Sequence, residues 1–339
     1  MFRHGERTTY RFYPTDPYKN QTFYPVGLGG LTNRGKLQEF QLGKILRENY
    51  GRLLGEDYTE DKLHVRSTDT TRTQMSALLV LAGLWPPSEN QSWHPTLQWQ
   101  PIPVFSKPFI EEDLLDSTYC GFRKVVLDNL PKDPAVYNTF IEPHKAIFEY
   151  VEKHSGVVIK DLLDLLNFYF ILKAEDGIGL ELPEWTKKIY PEPITSTASL
   201  VYGYLNYNAD VKTIHAGYML QKMVNDSVAK INNELEPPGR KMFLYAAHET
   251  SLGYLLHALK VVKPHIPPYG SAIILELHRK GQDYLFKLRY IENPLEGKIQ
   301  DFIIPGCEVL CPVNKFIELH NDILPIVSKQ EACDIRNTT

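Results

Sequence analysis

Apolar positions along the first quarter of the chain change period twice. Leu42, Ile45, Leu46 and Tyr50 recur at steps of three and four, the spacing of one helical face, with Thr32 where an N-cap belongs. The pattern predicts a helix that ends near Gly51, after a Tyr- and Pro-rich loop over residues 8–30. Residues 63–67 read as a short strand entering a turn. Met75, Leu78, Leu79 and Ala82 then restore the helical period over 71–84, and Pro86-Pro87 stops it.

The period lapses next. Residues 86–108 hold many Pro and Trp, and four segments of helical character follow at 111–130, 135–155, 159–174 and 183–190. We read residues 85–205 as a mostly helical cap. An amphipathic helix returns at 217–235, with Leu220, Val224, Val228, Ile231 and Leu235 on one side, closed by Pro237-Pro238-Gly239. The near-continuous apolar run 242–247 is a buried strand, a helix is expected at 251–259, and two alternating runs around Gly281 form a hairpin. Strand-to-helix units on both sides of a helical insertion predict an α/β fold. Its three-layer sandwich and central mixed sheet come from residues 1–84 and 206–339.

Composition narrows the class. Hydrophobic residues make up 43% of 339, with 20 Tyr and 15 Phe, which excludes a mainly disordered chain. A net charge of -4 gives no reason to expect nucleic acid or an anionic membrane as partner. No run approaches the roughly 18 apolar residues that span a bilayer. Cys120, Cys307, Cys311 and Cys333 allow three complete pairings, among which spacing does not choose, and no compact second Cys/His pair suggests zinc. Acceptor patterns for N-glycosylation at Asn20, Asn90, Asn225 and Asn337, with the even cysteine count, favour an oxidising compartment.

Candidate chemistry concentrates at the start. Arg3-His4-Gly5-Glu6-Arg7 places two guanidiniums around one imidazole. Guanidiniums hold non-bridging phosphoryl oxygens in bidentate fashion, a neutral imidazole nitrogen can attack phosphorus, and Gly5 lets the backbone come close. Arg66-Ser67-Thr68 with Arg72, at a strand-to-helix turn, offers a third guanidinium. His248-Glu249 follows the strand 242–247, at the strand end where open α/β sheets bind ligands.

With these segments the chain resembles the histidine acid phosphatases, branch 2 of the histidine phosphatase superfamily, over nearly its whole length. The resemblance also runs through Phe23-Tyr24-Pro25-Val26-Gly27 to Leu31-Thr32-Asn33-Arg34-Gly35 and the C-terminal cysteines. The loop looks most like insect venom-type members, beside prostatic and lysosomal ones. The resemblance implies an acid phosphatase that hydrolyses phosphate monoesters through a phosphohistidine, with no metal and no cofactor. It puts the nucleophile on His4, phosphate-binding arginines on Arg3, Arg7 and Arg66, and a hydrogen-bond donor to phosphate on His248. The leaving-group acid falls on Glu249, where the family usually has aspartate. It pairs Cys120 with Cys333 and Cys307 with Cys311.

The substrate is then a small phosphate monoester or a phosphorylated macromolecule, a homodimer is a form common among relatives, and the location is secreted or lysosomal/lumenal. The family enters its first motif from a central strand after a signal peptide. Only Met1 and Phe2 precede Arg3 here, so the chain is read as a shortened form whose N-terminal strand is missing. The rival class is a secreted phosphate-ester-binding or antigenic protein with little turnover. Loss of His4 or of a phosphate-binding arginine would favour it, and none is lost. Phosphoryl transfer between metabolites is a third reading, against which the cap and cysteine pattern stand.

Overall fold

The computed structural model describes residues 1–334. Its centre is an eight-stranded mixed sheet of β1 (Phe2–Arg3), β2 (Leu63–Thr68), β3 (Phe105–Lys107), β4 (Met242–Ala247), β5 (Ala272–Lys280), β6 (Asp283–Ile291), β7 (Gln300–Phe302) and β8 (Cys311–Pro312). The order is β3-β2-β4-β1-β5-β6-β7, with β8 against β6. From β3 to β1 neighbours are parallel, and from β1 onward antiparallel. The parallel half therefore ends on one edge.

Side chains alternate across the sheet and make two cores. Phe2, Val65, Leu244 and Ala246 pack with α1 (Asn33–Leu54) and α2 (Thr71–Leu84) on one face. Tyr245 and Ala247 join the larger core on the other face, with the helices Leu162–Gly177 and Glu249–Ala258. Three layers result. Thr32 caps α1 by accepting from Gly35 N at 3.0 Å, and α1 runs past Gly51 to Leu54. The hairpin turns at Gly281, and α2 spans the predicted residues.

Several elements differ from the sequence pattern, among them the helix expected over 135–155, which is regular α-helix at Lys145–Ser155. The strand expected to be missing ahead of Arg3 is present in short form, since Phe2 and Arg3 pair with Ala246 and Ala247 of β4, and Phe2 with Ala272 of β5. Residues 105–107, read as cap, instead form the exposed edge strand β3 beside β2. Of the helix expected over 111–130, Gly121–Asn129 is α-helical, because residues 112–115 turn around the Glu112 carboxylate, which accepts from Leu114 N and Leu115 N at 2.7 Å each. Disulfides join Cys120 to Cys333 and Cys307 to Cys311. Asn20, Asn90 and Asn225 are exposed, and Asn337 lies outside the described residues.

Candidate active site

Parallel pairing of β1, β4 and β2 brings His4, His248 and Thr68 to neighbouring strand ends. His4 N donates to Ala247 O at 3.1 Å, and His4 O accepts from Gly270 N at 3.2 Å, so the residue is fixed from both sides. The chain then turns directly over the first turn of α1. A Cβ on Gly5 would lie 2.3 Å from Gly35 O, and one on Gly35 would lie 2.1 Å from Glu6 O. Only glycine allows this approach, which holds the loop after His4 against a capped helix.

His4 is 1% exposed. Its Nδ1 lies 2.8 Å from Gly5 O, which can only accept, so the neutral ring carries its proton on Nδ1 and keeps a lone pair on Nε2. Burial, then Arg72, Arg3, His248 and Arg7, hold its pKa well below that of an ordinary histidine. The lowered pKa favours the neutral imidazole.

Three guanidiniums supply that field. Arg7 and Arg72 line a cavity of about 280 Å³ with His4, His248 and Glu249. Arg3 lies beneath, 2% exposed, its guanidinium 4.0 Å from the centre of the Tyr269 ring and Nη1 donating to Pro267 O at 2.6 Å. Arg3 Nε and Nη2 and Arg72 Nε are buried with no hydrogen-bond partner. Buried guanidinium donors of this kind cost free energy unless an acceptor meets them. Burial also lowers Arg72 to about 10, which leaves it charged.

His248 stands with its ring centre 5.6 Å from that of His4. Burial and Arg72 take its pKa down to about 4 against the opposing pull of Glu249 and Asp116. Glu249 opens its helix beside it, and its Oε2 is 3.6 Å from Arg3 Nε. Burial pushes this carboxyl up, but Arg3, His248 and Arg7 outweigh it and leave the pKa below the ordinary value. The rim is of another character: Tyr10, Phe109, Tyr119, Phe170, Asn167, Thr118 and Asp116 carry no cation.

Arg66 is where sequence and structure part. Its Nη2 donates to Glu112 Oε1 and Asp113 Oδ1, both at 2.6 Å, and it does not line the cavity. Arg66 pins the turn that leads to Asp116, and Arg72 from the same segment is the third guanidinium at His4. The alternation of β2 already sends Arg66 away from its buried neighbours Val65 and Ser67. Thr68 stood in the Arg66-Ser67-Thr68 motif without a role of its own, and Thr73 and the aromatic rim carried no sequence signal.

Buried guanidiniums with free N–H groups around a neutral, oriented imidazole define a site for a phosphoryl anion. The sequence profile of the histidine phosphatase superfamily (branch 2) matches residues 1–113 and 100–291. The venom acid phosphatase Acph-1 of Apis mellifera is 35% identical over 341 residues, covering 99% of this chain and 87% of that protein. The prostatic acid phosphatase of Bos taurus is 32% identical, covering 99% and 87%. Among solved structures, the phytase of Citrobacter braakii shares the fold with a TM-score of 0.67 at 16% identity, covering 98% of both chains. The chain belongs to the histidine phosphatase superfamily, branch 2.

Proposed function

We propose that the chain is an acid phosphatase that cleaves phosphate monoesters through a phosphohistidine on His4. The observation that carries the reading is the bond from His4 Nδ1 to Gly5 O at 2.8 Å, which leaves Nε2 as the nucleophile inside a ring of guanidiniums. Arg3, Arg7 and Arg72 take the non-bridging oxygens and stabilise charge as it spreads over them. The Nε2 lone pair forms a bond to phosphorus while the bond to the ester oxygen breaks, and that oxygen takes the Glu249 proton and leaves as an alcohol. A water then attacks phosphorus and gives a proton to the Glu249 carboxylate. The N–P electrons return to Nε2, and inorganic phosphate departs.

Acid suits both partners. A histidine of ordinary pKa would be largely protonated below about 6.5 and could not attack, whereas the lowered pKa of His4 extends its neutral form to lower pH. Glu249 needs its proton for the first step, and a pKa below the ordinary value confines the protonated form to acid. The negative charge of a bound ester offsets Arg3 and Arg7 and raises it toward use.

Arg7 and Arg72 line the cavity with His4, and Arg11 lies 5.2 Å from the ring centre of Tyr10 at its edge. The substrate is a phosphate monoester, whether a small molecule or a phosphorylated macromolecule. Two disulfides and three exposed glycosylation acceptors, Asn20, Asn90 and Asn225, support a secreted or lumenal location. The test is release of phosphate from p-nitrophenyl phosphate between acid and neutral pH. Turnover that rises into acid and vanishes in His4→Ala is expected; no release by the intact protein at any pH would refute the proposal.

A further inference from the structure

The ring of His248 is held at both nitrogens by groups with different demands. Arg72 Nη2 lies 3.4 Å from Nδ1, and Thr68 Oγ1 lies 3.0 Å from Nε2. A guanidinium only donates, so Nδ1 of the neutral ring offers it a lone pair and the single N–H sits on Nε2. Thr68 Oγ1 therefore accepts from His248, and its own proton must go elsewhere. Thr73 Oγ1 stands 2.9 Å away, and that hydroxyl in turn reaches two carbonyls that can only accept, Thr70 O at 2.9 Å and Thr68 O at 3.0 Å. Thr70 Oγ1, 2.6 Å from Thr73 Oγ1, completes the cluster. Thr68 and Thr73 are fully buried, so water does not compete for these bonds.

We propose that Thr68 and Thr73 are positioning residues for phosphoryl transfer, whose hydroxyl chain keeps the neutral His248 proton on Nε2 and so presents the Nδ1 lone pair to the phosphoryl group. The inference rests on the phosphatase reading above and adds a residue pair to it. A phosphate monoester in acid keeps one acidic proton, with a second pKa of about 6. The charge of the bound ester offsets Arg72 and Arg3 and raises the ring from its resting pKa of about 4, so the Nδ1 lone pair can accept that proton, and the Nδ1–H then donates back to the anion. The groups facing this ring are Arg72 from α2, Arg3 at the end of β1 and His4 after it, Glu249 from the following helix, and Asp116 from the rim. None of them offers Nε2 the acceptor that Thr68 does. The hydroxyl chain runs from the end of β2 into the first turn of α2, the segment that also carries Arg72. One turn thus sets both nitrogens of the ring.

The test has two arms. In uniformly 15N-labelled protein at neutral pH, two-bond nitrogen–proton correlations of His248 should show the Nε2–H tautomer, with Nδ1–H appearing in Thr68→Val. An Nδ1–H tautomer in the parent would overturn the assignment. This arm needs no turnover, so a parent that releases no phosphate would sink the phosphatase reading while the hydroxyl chain is still judged. In the kinetic arm, Thr68→Val should lower kcat on p-nitrophenyl phosphate by about tenfold, less than the roughly hundredfold that a well-placed acid or base itself contributes, since the ring remains, and alter the pH profile with little change in KM. Thr68→Ser should recover most of the loss. Thr73→Val leaves Thr68 in place but removes its acceptor, and a loss smaller than that of Thr68→Val is expected. A Thr68→Val enzyme with the parent's kcat and pH profile would overturn the proposal. Should Thr68→Val fail to melt cooperatively, the parent spectrum and Thr73→Val decide it: an Nδ1–H tautomer, or unchanged kcat in Thr73→Val, counts against the chain.

Discussion

His4 and His248 occupy equivalent places at the ends of adjacent parallel strands, and both are buried with a pKa below the ordinary histidine value. What separates them is which nitrogen is tied, and by what. In His4 the next residue's own carbonyl binds Nδ1 and frees Nε2. In His248 the Thr68 side chain binds Nε2 and leaves Nδ1 beside Arg72. The proposed nucleophile is thus oriented by main chain, which substitution of neighbouring side chains does not delete, and the second histidine by side chains, which it does. Two rings of one type take different parts because their surroundings fix different tautomers.

The comparison breaks most visibly at the rings themselves. His4→Ala should lose about a thousandfold or more in kcat, since no other group can form the covalent intermediate. His248→Ala should keep a measurable remainder, because a donor is lost but the nucleophile is not; equal residual rates would erase the distinction. A second break is Arg72→Gln, which removes both a phosphoryl donor and the charge that, after burial, most depresses His4. A loss of about a hundredfold in kcat/KM is expected. The His4 pKa should rise, so the acid limb of the rate profile, where His4 becomes protonated and inert, should move to higher pH. A limb that stays in place would show that Arg72 does not set the nucleophile's charge.

Glu249 sharpens the account of the leaving group. Glu249→Gln should slow alkyl phosphates by about a hundredfold or more, and p-nitrophenyl phosphate far less, since nitrophenolate leaves without a proton. Glutamate reaches one methylene further than the family's usual aspartate, and displacement on the order of 1 Å can cost about a hundredfold. Glu249→Asp should therefore retain or raise turnover if the backbone holds the family's position, and a collapse of activity would show that this site has rebuilt around the longer side chain. Smallest of all is Arg66→Gln. With Arg66 engaged by Glu112 and Asp113, kcat should fall far less than in Arg72→Gln; a loss as large as that of Arg72→Gln would return Arg66 to the phosphate.

Much of this was legible in the chain. Period alone located α2 residue for residue, the hairpin about Gly281 and the buried strand before His248, because each is a local pattern facing one core. Arg3, His4 and Arg7 were legible because three charged or nucleophilic groups in five residues have few bland uses. Arg66 was misplaced because its partners lie 46 and 47 residues away, and no local pattern records a distant carboxylate. The edge strand β3 hid in a Pro-rich stretch because three exposed residues have no apolar period to show. Thr68 and Thr73 look like ordinary turn residues until parallel pairing of β2 with β4 sets one of them against His248. Disulfide pairing came from likeness to a family, not from spacing.

The central claim is that phosphorus passes through Nε2 of His4. Rapid acid-free quenching of the enzyme during turnover of 32P-labelled ester, followed by peptide mapping, measures it directly. The account predicts an acid-labile, alkali-stable label on the peptide containing His4, formed and discharged at rates consistent with kcat and absent from His4→Ala. Steady turnover with no label on His4, or a label that persists in His4→Ala, would contradict it.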